Sequence, residues 1–460
     1  MKNKFCSRLL ALIGLGVVVA VCAFLFSYVL NRSGDPQAQM AQQDVNPEII
    51  SKGAYLARAG DCVACHTSHN GGKPFAGGLG IKSPIGTIYS TNITPDNKTG
   101  IGRWSYGDFE RAVRRGIGHN GDALYPAMPF PSYAMTSDED TRALYAYFMY
   151  GVPAVSQENL SNDIPWPLSI RWPLAYWRTL FAPSSEDAAA SFDAATSSAD
   201  PEIARGAYLV QGLGHCGSCH TPRALTMQEK GLDEKSLDYL AGAELNGWAV
   251  TSIRGVSHWS HAELVDYLGT GRNEKAAVAG EMTDVVANST SHMTDADLGA
   301  IAKYLQSLND AKTAPEQHEK ASGTTAAKLT AAKDLTLGER LYIDNCNACH
   351  LVAGNGAPRV FPRLDGASVV NAENAAALIE VILAGAETPS TARAPSVLPM
   401  PGFAYRLSDS EAAELATFVR QAWSNKAGEV SEKEVRDVRA RLSQAHGEAF
   451  STNELSKPHN

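Results

Sequence analysis

The chain opens with 22 consecutive uncharged residues, Leu9 to Leu30, and no later apolar run approaches that length. A helix needs about 20 apolar residues to cross a bilayer, whereas a cleavable leader has an apolar core of roughly 7–15, so the run fits a span. Lys2, Lys4 and Arg8 precede it. Positive flanks stay on the cytoplasmic side, which directs everything after Asn31 to the periplasmic side of a bacterial inner membrane. Ala38 and Ala41 are small enough for cleavage but lie outside a clean Ala-x-Ala, and Val21 is too bulky for a lipobox ending at Cys22.

Beyond the span the apolar positions become sparse and recur at helical spacing. Trp104-Ser105 leads over twelve residues to Gly116, and Trp259-Ser260 to Gly271, with Phe109 and Val113 or Leu264 and Leu268 on one face. A weaker third copy runs from Glu373 through Leu378 to Gly385. Later helices start at Ser137 to Asp140, Thr294 to Asp297 and Ser408 to Glu411, each a Ser/Thr-x-x-acid signature. Behind them come Leu144 to Phe148, Ile301 to Leu305 and Leu415 to Val419, whose aromatic members should pack on the first helix of their module. Those first helices begin at Gly53-Ala54-Tyr55-Leu56, Gly206-Ala207-Tyr208-Leu209 and Gly338-Glu339-Arg340-Leu341. A duplicated module is therefore expected over 48–155, 200–309 and 334–426, after an anchor or signal over 1–31. Stretches 183–198 and 309–333 lack apolar periodicity and read as linkers, and 427–460 reads as a charged tail, periodic in places, that forms a surface helix. Strand signals are scarce, so the predicted class is all-α.

Charge and cysteines add the chemistry. The net charge of -9 without a basic stripe excludes nucleic-acid binding. Six of eight cysteines fall in three pentads, Cys62-Val63-Ala64-Cys65-His66, Cys216-Gly217-Ser218-Cys219-His220 and Cys346-Asn347-Ala348-Cys349-His350. Cys-x-x-Cys-His is the attachment motif of c-type haem, with two thiols adding to the porphyrin vinyl groups and the imidazole on iron. Three covalent haems are therefore expected. A thioredoxin-like site belongs in a βαβ setting and needs no following His, and a structural zinc site needs two more close ligands.

An iron that only shuttles electrons needs a second axial ligand beside His66, His220 or His350. Met128 lies 62 residues after His66, Met282 lies 62 after His220, and Met400 is the only methionine after His350. All three are expected in irregular segments ahead of a closing helix. Met135, Met149, Met227 and Met293 compete, with packing the better reading for Met149 and Met293. His69, His119, His215, His258, His261 and His292 read as surface or hydrogen-bonded residues.

The strings Gly53 to Asp61, Lys82 to Asp96, Tyr125-Pro126-Ala127-Met128-Pro129 and Glu202 to Gly206 carry a family likeness beyond the pentads. From about residue 50 to 425 the chain resembles the triple-haem cytochrome c subunits of membrane-bound periplasmic dehydrogenases acting on alcohols, gluconate, ketogluconate, fructose or sorbitol. The resemblance implies three tandem cytochrome c-like haem domains behind a transmembrane helix, with Met128, Met282 and Met400 as axial ligands. It also implies a large partner subunit carrying flavin or pyrroloquinoline quinone, a small third subunit, and delivery of electrons to ubiquinone. The short polar tail and the uncleaved span favour the flavoprotein sugar-acid branch. A molybdenum hydroxylase acting on aldehydes or N-heterocycles is an alternative donor, and a self-contained haem peroxidase or oxidase would require an open coordination site.

One further feature is Ile164-Pro165-Trp166-Pro167-Leu168, followed by Arg171-Trp172-Pro173 and Trp177. Packing between domains is the first expectation for it. A belt of indoles at a membrane interface is the second.

Overall fold

The computed structural model describes residues 2–446 except 33, 70, 197–199, 246, 255, 257–258 and 309–318. Helices dominate. The named strands pair into three antiparallel hairpins: Gly80–Ser83 with Gly86–Tyr89, Ala243–Leu245 with Trp248–Val250, and Gly385–Glu387 with Pro399–Pro401. The N-terminal helix is Lys2–Leu30, and its segment Leu12–Leu30 is long and apolar enough to cross a membrane.

One crossing of two helices occurs three times. Pro47–Ala59 meets Asp138–Ala146, Pro201–Ala207 meets Asp295–Ser307, and Leu337–Asn345 meets Asp409–Gln421. A glycine sits at each contact because nothing larger fits. A Cβ on Gly53 would stand 1.9 Å from the Ala143 carbonyl oxygen, one on Gly206 2.0 Å from that of Ala300, and one on Gly338 2.5 Å from that of Glu414. The Cβ atoms of Tyr147, Tyr304 and Phe418 close the other side at 2.7 to 2.8 Å from the same positions. The expected aromatic packing on the first helices is thus found.

The closing helices begin where their signatures place them. Ser137, Thr294 and Ser408 accept the backbone N–H of Asp140, Asp297 and Glu411 at 3.1 to 3.2 Å, which satisfies a donor the helix cannot. In the last of these Glu411 returns a bond from the Ser408 N–H, completing a capping box.

The chain divides into two compact units. The first comprises Met1–Pro201 and Tyr208–His215, the second Glu202–Ala207 and Cys216–Asn460. In the first, Leu56, Tyr106, Phe109, Leu144, Phe148 and Leu213 share one core. In the second, the core around Tyr342, Leu378, Ile379, Leu383, Leu415 and Trp423 belongs to the third module. That module also holds the second: Arg359 N–H donates to Asn273 O at 3.1 Å and Arg363 N–H to Lys275 O at 3.0 Å.

The linkers depart from expectation, and the tail helix packs into the core instead of lying on the surface. Ser185–Thr196 is a helix with Ala188 buried, tied by Glu186 to Arg115 at 2.9 Å. Glu319–Ala331 is also helical, and its Leu329 enters the third core. Alanine supplies helix propensity without an apolar period, so composition alone misreads such segments. In the tail, Glu432–His446 is a helix that buries Val435, Val438 and Leu442. Buried Arg439 anchors it, donating to Asp409 Oδ1, Ala404 O and Leu407 O at 2.8 to 2.9 Å. Residues 447–460 lie outside the described residues.

Candidate haem sites

Each pentad folds into a single helical turn: Cys62–Cys65, Gly217–His220 and Asn347–His350. Residues three apart on a helix share a face, so the two thiols of a pentad point the same way. None of the six cysteines is in a disulfide. Burial pushes the Cys62, Cys216 and Cys346 thiols up to about 12. A raised thiol pKa favours the uncharged S–H over the thiolate at neutral pH.

The imidazoles repeat a single hydrogen bond. His66 Nδ1 lies 2.7 Å from Thr91 O, His220 Nδ1 2.7 Å from Thr251 O, and His350 Nδ1 2.9 Å from Pro362 O. A carbonyl can only accept, so the proton sits on Nδ1 and the Nε2 lone pair is left for a metal. Burial lowers the pKa of all three rings, although the same carbonyl bond raises it, and neutral imidazole is the ligating form.

Those carbonyls come from the chain after each pentad. Thr91 follows the hairpin ending at Tyr89, and Thr251 follows the one ending at Val250. In the third module the shorter Ala357–Phe361 bridge presents Pro362. Asn92 fixes the first: it is buried, its Nδ2 donates to Val155 O at 2.8 Å, and its Oδ1 accepts from Thr94 N–H at 2.9 Å. Sequence reasoning missed these acceptors, because any residue type can offer a carbonyl.

The methionines occupy three different settings. Met128 lies in an irregular segment ahead of the short helix Phe130–Tyr133, as expected. Met282 instead stands in the first turn of Glu281–Asn288, a helix started by Gly280 in a positive-φ conformation and by acidic Glu281 and Asp284. Met400 is in a strand paired with Ala386, and it packs against the third core. Its neighbours Pro399 and Pro401 have no N–H, so this pairing is a minimal one. Met149 packs against the first core and Met293 is buried.

The other histidines are engaged differently. His261 and His292 direct Nε2 at the carbonyls of Gly299 and Ala287, both at 3.1 Å. His119 stacks on Trp104 and faces Asp108, and His215 uses Nδ1 on Leu213 O. His69 is exposed, and His258 lies outside the described residues.

Paired thiols on one turn, an imidazole with only Nε2 to give and a glycine crossing that closes each module define a c-type cytochrome, with donors that suit covalent haem c. Residues 335–423 match the Cytochrome c family. The chain is 48% identical over 415 residues to the gluconate 2-dehydrogenase cytochrome c subunit of Pantoea cypripedii, covering 87% of this chain and 92% of that protein. It is 46% identical over 407 residues to the cytochrome c subunit of the quinone alcohol dehydrogenase of Gluconobacter oxydans, covering 86% and 83% of the two chains. The fructose dehydrogenase cytochrome subunit of Gluconobacter japonicus is 36% identical over 414 residues, with 85% and 82% covered. This chain belongs to that family of dehydrogenase cytochrome c subunits.

Proposed function

We propose that the chain is the triple-haem electron-transfer subunit of a membrane-bound dehydrogenase for sugar acids, sugars or alcohols. The observation that carries the reading is the threefold repeat of a Cys-x-x-Cys-His turn with its imidazole tied through Nδ1 to a carbonyl. Haem c, when bound, supplies one-electron iron chemistry. Cys62 and Cys65, Cys216 and Cys219, and Cys346 and Cys349 would tether it. His66 with Met128, His220 with Met282, and His350 with Met400 would saturate the metal. The haem domains would lie at 48–155, 200–309 and 334–426.

Saturated irons leave no position for a substrate, so oxidation of the organic molecule falls to a large partner subunit, as the relatives are themselves cytochrome c subunits of dehydrogenases, and a flavoprotein is the partner we favour. A small third subunit completes the assembly. The N-terminal helix holds it in the inner membrane with its haem domains in the periplasm, and ubiquinone is the acceptor. The pyridine haemochromogen assay is expected to return three haems per chain, and the purified complex to reduce a ubiquinone analogue when given its substrate. Fewer than three haems, or rapid stoichiometric carbon monoxide binding by the reduced protein, would overturn this reading, the latter in favour of a haem peroxidase or oxidase. Capture of a molybdenum hydroxylase as the large partner would change the donor alone.

A further inference from the structure

The helix Leu174–Phe181 and the segment before it belong to the first unit, and they lie alongside the end of the N-terminal helix. Tyr176 donates its hydroxyl to Ala23 O at 2.7 Å. Trp172 meets Phe24 edge to face, and Tyr176 packs on Phe26. Arg178 donates to Leu30 O at 2.8 Å and to Asn31 Oδ1 at 2.9 Å, capping the last carbonyl of the helix with a cation.

These contacts fix a depth. Ala23 precedes Leu30 by seven residues, roughly 10 Å along a helix at about 1.5 Å per residue. The 19 residues Leu12–Leu30 span about 28 Å at the same rise, close to the ~30 Å of a bilayer core. A segment level with Ala23 to Leu30 therefore cannot stand clear of the membrane that this helix crosses. Its outward side chains agree: Trp166, Leu168, Ile170 and Leu180 are exposed, Trp166 at 79% and Leu180 at 73%. Water would be a poor solvent for that group.

We propose that residues 166–181 form a second, monotopic membrane contact. Trp166, Leu168, Ile170 and Leu180 enter the outer interfacial layer of the same bilayer, while Tyr176 and Arg178 lock the strip to the span. Indoles favour that layer, and an apolar helix face lying in it is immersed by about 5–10 Å. The chain would be held at two points, which fixes the orientation of the first unit on the membrane instead of letting it swing on one helix.

The inference rests on the N-terminal helix crossing the membrane, and one experiment separates the two claims. The full-length haem-loaded protein is reconstituted in vesicles of phosphatidylethanolamine and phosphatidylglycerol doped with a phosphatidylcholine carrying a diazirine high on its acyl chain. After illumination, lipid adducts are mapped by mass spectrometry. Adducts are expected on 12–30 and on 166–181, several-fold above those on the peptide holding Leu225, which is 99% exposed and carries no role here. The double variant Leu168→Asp, Leu180→Asp, both exposed positions, is expected to lose the 166–181 adducts and keep those on 12–30. Adducts on 12–30 alone in the wild type would overturn the proposal and leave the span standing. Adducts on neither would overturn both, and equal labelling at Leu225 would overturn the specificity of the strip.

Discussion

Each pentad histidine has one nitrogen committed to a carbonyl, and this makes the methionine partners testable one at a time. Met282→Ala is expected to remove about a third of the far-red sulfur-to-iron charge-transfer band and to lower one reduction potential, since a thioether raises it relative to nitrogen ligation. Met293→Ala, at a buried position, should leave the band intact. An undiminished band in the first variant would exclude Met282 as a ligand. Glu229 offers a test of charge beside the second pentad, where its Oε1 accepts from Ser218 Oγ at 3.1 Å. Burial raises its pKa, against the pull of Arg223. A carboxyl raised on folding favours the native state below its unfolded value of about 4.3, and that contribution is lost as pH rises through the folded value. Glu229→Gln should therefore raise the melting temperature at neutral pH, with the gain shrinking toward pH 4. A gain of equal size at both pH values would contradict this sign.

Elements are held together by the glycine crossings. Alanine at Gly53, Gly206 or Gly338 drives a methyl into a carbonyl, and overpacking of this kind costs roughly 1–3 kcal/mol. Gly338→Ala should be the mildest, because its nearest obstacle is 2.5 Å away against 1.9 and 2.0 Å at the others. Chemical denaturation of the three variants gives the ranking directly. A comparable expectation concerns Glu432–His446. Removing residues 432–460 uncovers the core under Val435, Val438 and Leu442 and strips Asp409 of Arg439, so the third module should melt earlier than in the full chain. An unchanged transition would mean that the helix contributes no stability.

At the scale of the whole molecule, the division into two compact units sets the pattern of unfolding. Cooperative units that are separate in contacts melt separately. Calorimetry is expected to resolve two transitions, the second and third modules going together. Arg393 ties them further, donating to Met293 O at 3.1 Å and pairing with Asp295. Arg393→Ala should lower only the transition of the second unit. Three transitions would indicate modules that fold alone.

The sequence by itself determined the thiols and imidazoles, the triple repeat, the helix starts at Ser137, Thr294 and Ser408, and the apolar N-terminal run, because each depends on residue type at a fixed local spacing. The linkers and the charged tail escaped it, since Leu329 or Val435 acquires an apolar partner only when distant chain comes to meet it. Met282 in a helical turn and Met400 in a strand were equally out of reach. Only the tertiary structure decided which carbonyls hold the histidines and which side chains stand beside the N-terminal helix. A backbone oxygen carries no letter in the sequence, and Tyr176 finds Ala23 across 153 residues of chain.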